Sequence, residues 1–142
     1  MLRQWKTAVV VAVLAGSAYA QDIEKMTLTD MTLNPHPQFE DVSAAFLTGR
    51  FDQEGLYAAN SVLGAGAVFP PHHHNDDRLS VVIEGTMYLG TGDTVNPANE
   101  QEFPAGSVAL TPAGTVHYMV ARSGDVRILE IGSGPSATDF SE

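Results

Sequence analysis

The stretch GAGAVFPPHHHNDDRLSVVIEG, residues 64–85, holds three of the five histidines of this chain. The histidines lie between a Pro-Pro pair and a β-branched run, a composition typical of a strand. In a strand alternate side chains share a face, so His72 and His74 are expected to point the same way, with Cα atoms roughly 6.6 Å apart. Two imidazoles at that spacing can converge on one metal ion. His73 should point to the opposite face and not be a ligand.

A third histidine lies in a second strand-like segment, GSVALTPAGTVHYMVA, residues 106–121. There His117 follows a Pro-Ala-Gly turn, and a barrel could bring the two strands together. Imidazole suits Zn, Cu, Fe and Ni and, together with oxygen ligands, Mn. Three imidazoles on one side of an ion would leave other positions open, as a catalytic metal requires. The pattern therefore predicts one divalent transition metal ion, of undetermined identity, held by His72, His74 and His117.

The remainder of the chain predicts an all-β fold. Short β-branched segments alternate with turns rich in Gly, Pro, Asn and Asp, and residues 21–142 contain no long apolar stripe of helical period. Many short strands at this spacing indicate a sandwich or barrel, here one domain over residues 21–142. Residues 21–40 are expected to form an entry arm or edge strand, and residues 132–142 a frayed tail. His36, in the segment NPHP, is expected in an exposed loop.

The first twenty residues resemble a secretory signal peptide. Arg3 and Lys6 precede the apolar core TAVVVAVLAG, and SAYA supplies small residues for cleavage after Ala20. The alternative is a short membrane anchor or a buried helix, but the apolar core is too short to span a bilayer. The sequence thus predicts a periplasmic or secreted protein. The absence of cysteine excludes disulfides, so stability must come from the core, a metal or oligomerisation.

The charge balance is strongly acidic, with seventeen Asp and Glu against seven Lys and Arg. Cleavage after Ala20 would remove two of the basic residues and none of the acidic ones. Nucleic acid and anionic membrane surfaces are therefore unsuited as partners. Nucleophilic catalysis is also poorly supported, because the chain has neither a cysteine nor a Gly-x-Ser-x-Gly turn.

The two histidine segments resemble the paired motifs of the cupin superfamily, the first at about residues 66–85 and the second at about 106–121. The positions that match are Gly66, His72, His74 and Gly85 in the first motif and Gly106, Pro112, Gly114 and His117 in the second. The resemblance is to small single-domain bacterial cupins, many of them exported. It implies a jelly roll, also called a double-stranded β-helix barrel, with the metal inside, and a homodimer. Ala121 replaces an Asn that is commonly variable.

Arg78 stands where the first cupin motif has a glutamate, which would normally be the fourth ligand. A guanidinium stays protonated and cannot bind a cation. One interpretation pairs Arg78 with Asp76, Asp77 or Glu84 at the barrel mouth. The other has Arg78 point inward and bind an anionic group of the substrate as a fork.

Three functions are compatible with this pattern. The first is metal-dependent chemistry on a small organic substrate, of dioxygenase type, as in some three-histidine cupins, or of isomerase or lyase type. The second is a non-catalytic module that binds a metal or a small anion. The third is a metal-free structural jelly roll. Only Asp77 and Glu84 are nearby candidates for a general base, and the resemblance does not choose the reaction.

Overall fold

The computed structural model describes residues 23–141, and the predicted signal peptide, residues 1–20, lies outside them. Strands make up most of this part of the chain. They are β1 Asn34–Pro35, β2 Val42–Thr48, β3 Gly55–Leu63, β4 Val68–His74, β5 Arg78–Glu84, β6 Thr86–Thr91, β7 Glu100–Pro104, β8 Val108–Thr111, β9 His117–Val120, β10 Val126–Gly134 and β11 Thr138–Phe140. Two single 3₁₀ turns, Leu28–Asp30 and Pro97–Asn99, complete the list. Across residues 23–141, no helix has the length and apolar character needed to cross a membrane.

The strands form two sheets with antiparallel pairing throughout the described chain. The six-stranded sheet has the order β1-β2-β3-β10-β5-β8, and the five-stranded sheet has the order β11-β4-β9-β6-β7. Sequential strands thus alternate between the sheets from β3 to β6, as in a jelly roll. The prediction of an all-β jelly roll is confirmed, and so is the edge position of the N-terminal arm, because β1 pairs only with β2.

Alternation of buried and more exposed residues builds the interior along β10, β5 and β8, whereas all four residues of β9 are buried. In β10, Val126 and Ile128 are buried and face a cluster that includes Leu63, Val82 and Met87. The same inward face carries polar residues further along, notably Glu130 in β10. The two sheets therefore enclose an apolar core that continues into a polar interior.

Gly85 shows why the first motif needs a glycine at the turn between β5 and β6. Its φ is 77°, in the left-handed region that residues with a Cβ rarely adopt. A Cβ at this position would also collide with the carbonyl oxygen of Asp125. The turn permits the chain to leave one sheet and enter the other within a single residue.

The predicted frayed tail is wrong. β10 extends to Gly134, and β11 pairs with β4, with Thr138 opposite His74 and Phe140 opposite His72. The Phe140 ring lies 5.7 Å from the ring of Phe69, and this packing holds the strand on the edge of β4. Gly, Ser and Pro in this segment resemble a turn, which is why the sequence pattern concealed the strand.

His36 lies in a loop, as expected, but the expectation that it is exposed is wrong. His36 is half-buried and stacks on Phe39 with ring centroids 4.7 Å apart. Its edge contacts Phe69 at 5.5 Å. The tertiary contacts of the N-terminal arm thus bring His36 to the interior cavity.

Candidate metal centre

The three predicted histidines meet inside the molecule. His72 and His74 are on β4 and His117 is on β9, directly opposite His72 in the strand register. Their candidate ligand atoms all lie within 4.8 Å of one another, and all three side chains are buried. His73 is on the other face, half-exposed, with Nε2 3.6 Å from Asp139 Oδ2. Alternation along β4 places His72 and His74 on one face, and the pairing of β4 with β9 brings His117 to them, as the sequence suggested.

Backbone carbonyls fix the orientation of all three rings. The Nδ1 of His72 is 2.6 Å from Pro70 O, and the Nδ1 of His117 is 2.8 Å from Thr115 O. The Nδ1 of His74 lies 3.1 Å from the carbonyl oxygen of residue 137, which precedes β11. A carbonyl oxygen only accepts, so each Nδ1 donates its proton and each Nε2 presents a lone pair. The Nε2 of His72 is buried and has no hydrogen-bond partner among the described residues.

The electrostatic environment keeps these imidazoles neutral. Burial, followed by the nearby His117, lowers the pKa of His72 to about 3. Burial, followed by the charge of Arg78, lowers the pKa of His74 to about 3. Burial also lowers the pKa of His117. The neutral imidazole is the form that binds metal ions.

These features fit a divalent transition metal. Three neutral imidazoles converge with their free nitrogens, and a buried nitrogen without a partner is costly unless something binds it. Within residues 23–141 no carboxylate joins this histidine group. Three buried histidines close together could therefore hold a metal ion, through nitrogen ligands alone.

A cavity of about 130 Å³ adjoins two of the three histidines, whereas His117 lines a separate cavity. His72, His74, Arg78 and Glu130 line it together with apolar side chains. Aromatic rings stand at its edge, namely His36, Phe69 and Phe140. Met119 of β9 also lines this cavity. The space suits a small molecule with an apolar part and a polar group.

Arg78 is inside the molecule and pairs with acidic residues. It is 4% exposed, with Nε 3.7 Å from Asp76 Oδ1 and Nη1 3.8 Å from Glu130 Oε2. The predicted pairing with Asp76 is thus present, but it is buried and not at a rim. Pairing with Asp77 or Glu84 is absent among the described residues. Asp77 accepts a hydrogen bond from the backbone N–H of residue 113, and Glu84 contacts the side chain of residue 127.

A hydrogen-bond network holds the guanidinium of Arg78 in place. Its Nη2 donates to Ser136 Oγ at 2.8 Å, and Ser136 Oγ donates to Asp76 Oδ1 at 2.6 Å. The Tyr57 hydroxyl donates to Asp76 Oδ2 at 2.6 Å. Burial alone would raise the pKa of Asp76, but the bonds from Ser136 and Tyr57 and the charge of Arg78 outweigh burial and lower it. Burial raises the pKa of Tyr57 to about 12.

Sequence reasoning missed Glu130, the carboxylate that lines the cavity. In the segment VRILEIG, residues 126–132, alternation places Glu130 on the same face as Val126 and Ile128. A carboxylate on the apolar face of a strand is a signal that the sequence contained. Ser136 and Tyr57 carried no comparable signal, because only the fold brings them to Arg78.

The comparisons with known proteins agree with this architecture. The family model described as Cupin matches residues 48–140. Germin-like protein 9-1 of Oryza sativa subsp. japonica is 31% identical over 120 residues, which are 82% of this chain and 44% of that protein. Germin-like protein subfamily T member 2 of Arabidopsis thaliana is 35% identical over 65 residues, which are 45% of this chain and 30% of that protein. The chain spans less than half the length of these curated relatives.

Solved structures show the same fold at lower identity. The polyketide cyclase RemF from Streptomyces resistomycificus superposes with a TM-score of 0.71 at 18% identity, covering 85% of this chain and 87% of that one. A sugar phosphate isomerase from Silicibacter pomeroyi superposes with a TM-score of 0.65 at 19% identity, covering 84% and 82%. KdgF from Halomonas sp. superposes with a TM-score of 0.63 at 18% identity, covering 79% of this chain and 94% of that one. At these identities the likeness establishes the fold alone.

Proposed function

This chain belongs to the cupin family, and we propose that it is an exported cupin that binds one divalent transition metal ion through His72, His74 and His117 and acts on a small organic substrate. The observation that carries the proposal is the set of three buried imidazoles. Their candidate ligand atoms lie within 4.8 Å of one another, and a backbone carbonyl lies at the Nδ1 of each ring. A metal-free barrel has weaker support, because it would leave His72 Nε2 buried without a partner.

The proposed chemistry is metal-dependent, either of the dioxygenase type or of the isomerase or lyase type. A bound ion would supply Lewis-acid activation or a template for the substrate. The cyclase and the isomerase among the structural neighbours support only the view that this fold hosts such reactions. The metal is one of Fe, Mn, Ni, Zn or Cu.

The other side chains of the cavity would bind and enclose the substrate. Phe69 and Phe140 offer apolar surface at the edge of the cavity, which would exclude water from the bound molecule. Arg78 and Glu130 offer the charged groups of the lining. A substrate with a small apolar body and one or two polar oxygens fits these features. Export, the homodimer and a substrate contact by Arg78 stay predictions.

Titration of the purified chain with zinc, after dialysis against a chelator, tests the metal site. We expect about one ion per chain, and His72→Ala, His74→Ala and His117→Ala should each weaken binding strongly because each removes one ligand. His73→Ala is the matched control, since its ring lies on the opposite face of the same strand. Equal losses in all four variants would contradict the proposal.

A further inference from the structure

Glu130 is a buried carboxyl in the cavity beside the candidate metal centre. It lies on β10 opposite Ser80 of β5, and its side chain lines the same cavity as His72 and His74. Only 9% of the residue is exposed. Its position on the inward face of the strand is fixed by the same alternation that buries its neighbours.

No described residue donates a hydrogen bond to Glu130. The facing cation is Arg78, whose Nη1 is 3.8 Å from Oε2, beyond hydrogen-bond length. Burial raises the pKa of Glu130, the charge of Arg78 opposes this, and Asp76 adds to the increase. Glu130 lines the cavity and no described residue donates to it, so its oxygens are available to a ligand there.

Arg78 itself is not free to follow a ligand. Its Nη2 donates to Ser136, and the rings of Phe51 and Tyr57 lie 4.9 and 5.5 Å from its guanidinium carbon. The charge of Asp76 lies 3.7 Å from Nε, which has no hydrogen-bond partner among the described residues. The side of the guanidinium that remains faces Glu130. Arg78 therefore provides a fixed positive charge beside a carboxyl that has a free side toward the cavity.

We propose that Glu130 is the acid–base residue of this cavity, and that it accepts the proton of a small hydroxyl-bearing ligand whose oxygen binds at the three histidines. The O–H bond of the ligand breaks, a new O–H bond forms on the carboxylate, and the electron pair left on the ligand oxygen becomes the metal-binding pair. No electron is transferred, and the proton returns when the ligand leaves. Arg78 acts as a positioning residue. This inference rests on the proposed metal site.

The side chains that line the cavity indicate which class of ligand would bind beside Glu130. The cavity of about 130 Å³ admits only a small molecule. The hydroxyl must reach Glu130 and the histidines at once, and the rest of the molecule meets the apolar and aromatic side chains, among them Phe69 and Phe140. A small molecule with an acidic hydroxyl and an apolar body meets these requirements.

Calorimetric titration of the zinc-loaded protein with acetohydroxamic acid tests this inference. The probe is small, neutral and binds divalent ions as its anion. Measurement in two buffers of different ionisation enthalpy counts the protons released. The wild-type protein should release almost no protons to the buffer, because Glu130 takes the proton of the probe. Glu130→Gln should release one proton for each probe bound and should bind the probe about tenfold more weakly. Glu84→Gln, an exposed carboxyl, should behave as wild type.

Variants of Arg78 separate positioning from direct binding. In Arg78→Gln the cation is gone, which favours a Glu130 that is protonated before the probe binds. Glu130 then cannot accept the proton of the probe, so one proton should be released to the buffer. Arg78→Lys keeps a cation and should restore proton uptake by Glu130. If Arg78 bound the probe directly, Arg78→Gln would weaken binding of the probe without changing the number of protons released. That result would overturn the positioning role of Arg78.

The outcomes distinguish this inference from the proposed function. Zinc is titrated first without the probe, and failure of wild type to bind zinc would overturn the metal site and, with it, the role of Glu130. Normal zinc binding with equal proton counts in wild type and Glu130→Gln would overturn the role of Glu130 alone. Loss of zinc in Glu130→Gln would make Glu130 a ligand and also overturn the acid–base assignment.

Discussion

At the scale of single residues, Arg78 and Glu130 give this cupin its particular site. In the first motif Arg78 stands where the family has a glutamate. A carboxylate, Glu130, is present instead on the neighbouring strand β10. Asp76 supplies a second acidic partner for Arg78. The charge balance of the interior therefore depends on a cluster of three buried residues.

Restoring the family's residue should therefore destabilise this protein. Arg78→Glu would place a third carboxylate beside Asp76 and Glu130 without a cation, and we expect a loss of about 3–5 kcal/mol in the free energy of unfolding. Urea denaturation measures the change. Arg50→Glu makes the same change of charge at an exposed arginine, so it is the control and should cost much less. Equal losses in the two variants would contradict the buried cluster.

At the scale of elements, β11 supports both the ring of His74 and the guanidinium of Arg78. The strand and the residues before it provide the carbonyl that fixes His74 and the hydroxyl of Ser136 that binds Arg78. β11 also covers the edge of β4, which carries His72 and His74. A segment with the composition of a tail thus completes the candidate site.

A chain that ends at residue 137, and so lacks β11, should be less stable. It loses three paired residues and the packing of Phe140 against Phe69 and His72, and we expect about 1–3 kcal/mol less free energy of unfolding. Urea denaturation provides the measurement. A chain that ends at Phe140 is the control, because it keeps β11. Identical stabilities of the two shortened chains would show that β11 contributes nothing.

At the scale of the whole molecule, the two sheets enclose histidines that must stay uncharged. The pKa of His72 and of His74 is about 3 in the fold, whereas an unfolded histidine has an ordinary value near 6.5. Between these values the unfolded chain binds more protons than the folded chain. The contribution of these two neutral histidines to the free energy of unfolding is therefore fully present above about pH 6.5 and is lost as the pH falls toward 3.

We expect the metal-free protein to lose about 1.4 kcal/mol for each pH unit and each of these two histidines inside that window. Urea denaturation with a chelator at several pH values between 7.5 and 4 measures the slope. The double variant His72→Gln, His74→Gln should show a smaller slope, because neither position can then be protonated. A wild-type slope no steeper than that of the double variant would contradict the assignment.

The sequence by itself determined the all-β fold and the shared direction of His72 and His74. These follow from local rules, because strand alternation and turn glycines such as Gly85 act within a few residues of the chain. The jelly roll and the meeting of His117 with the other two histidines were implied by the resemblance to the paired cupin motifs, and they depend on the pairing of β4 with β9. The outward direction of His73 followed from the same alternation.

Only the tertiary structure decided which groups surround Arg78 and where the C-terminal segment lies. Tyr57, Asp76, Glu130 and Ser136 are far apart in the sequence, and they meet because β3, β5 and β10 are neighbours in one sheet while β11 crosses to the other. Such contacts depend on sheet order, which alternation within a strand does not encode. The packing of Phe140 against Phe69 likewise exists only after both sheets have formed.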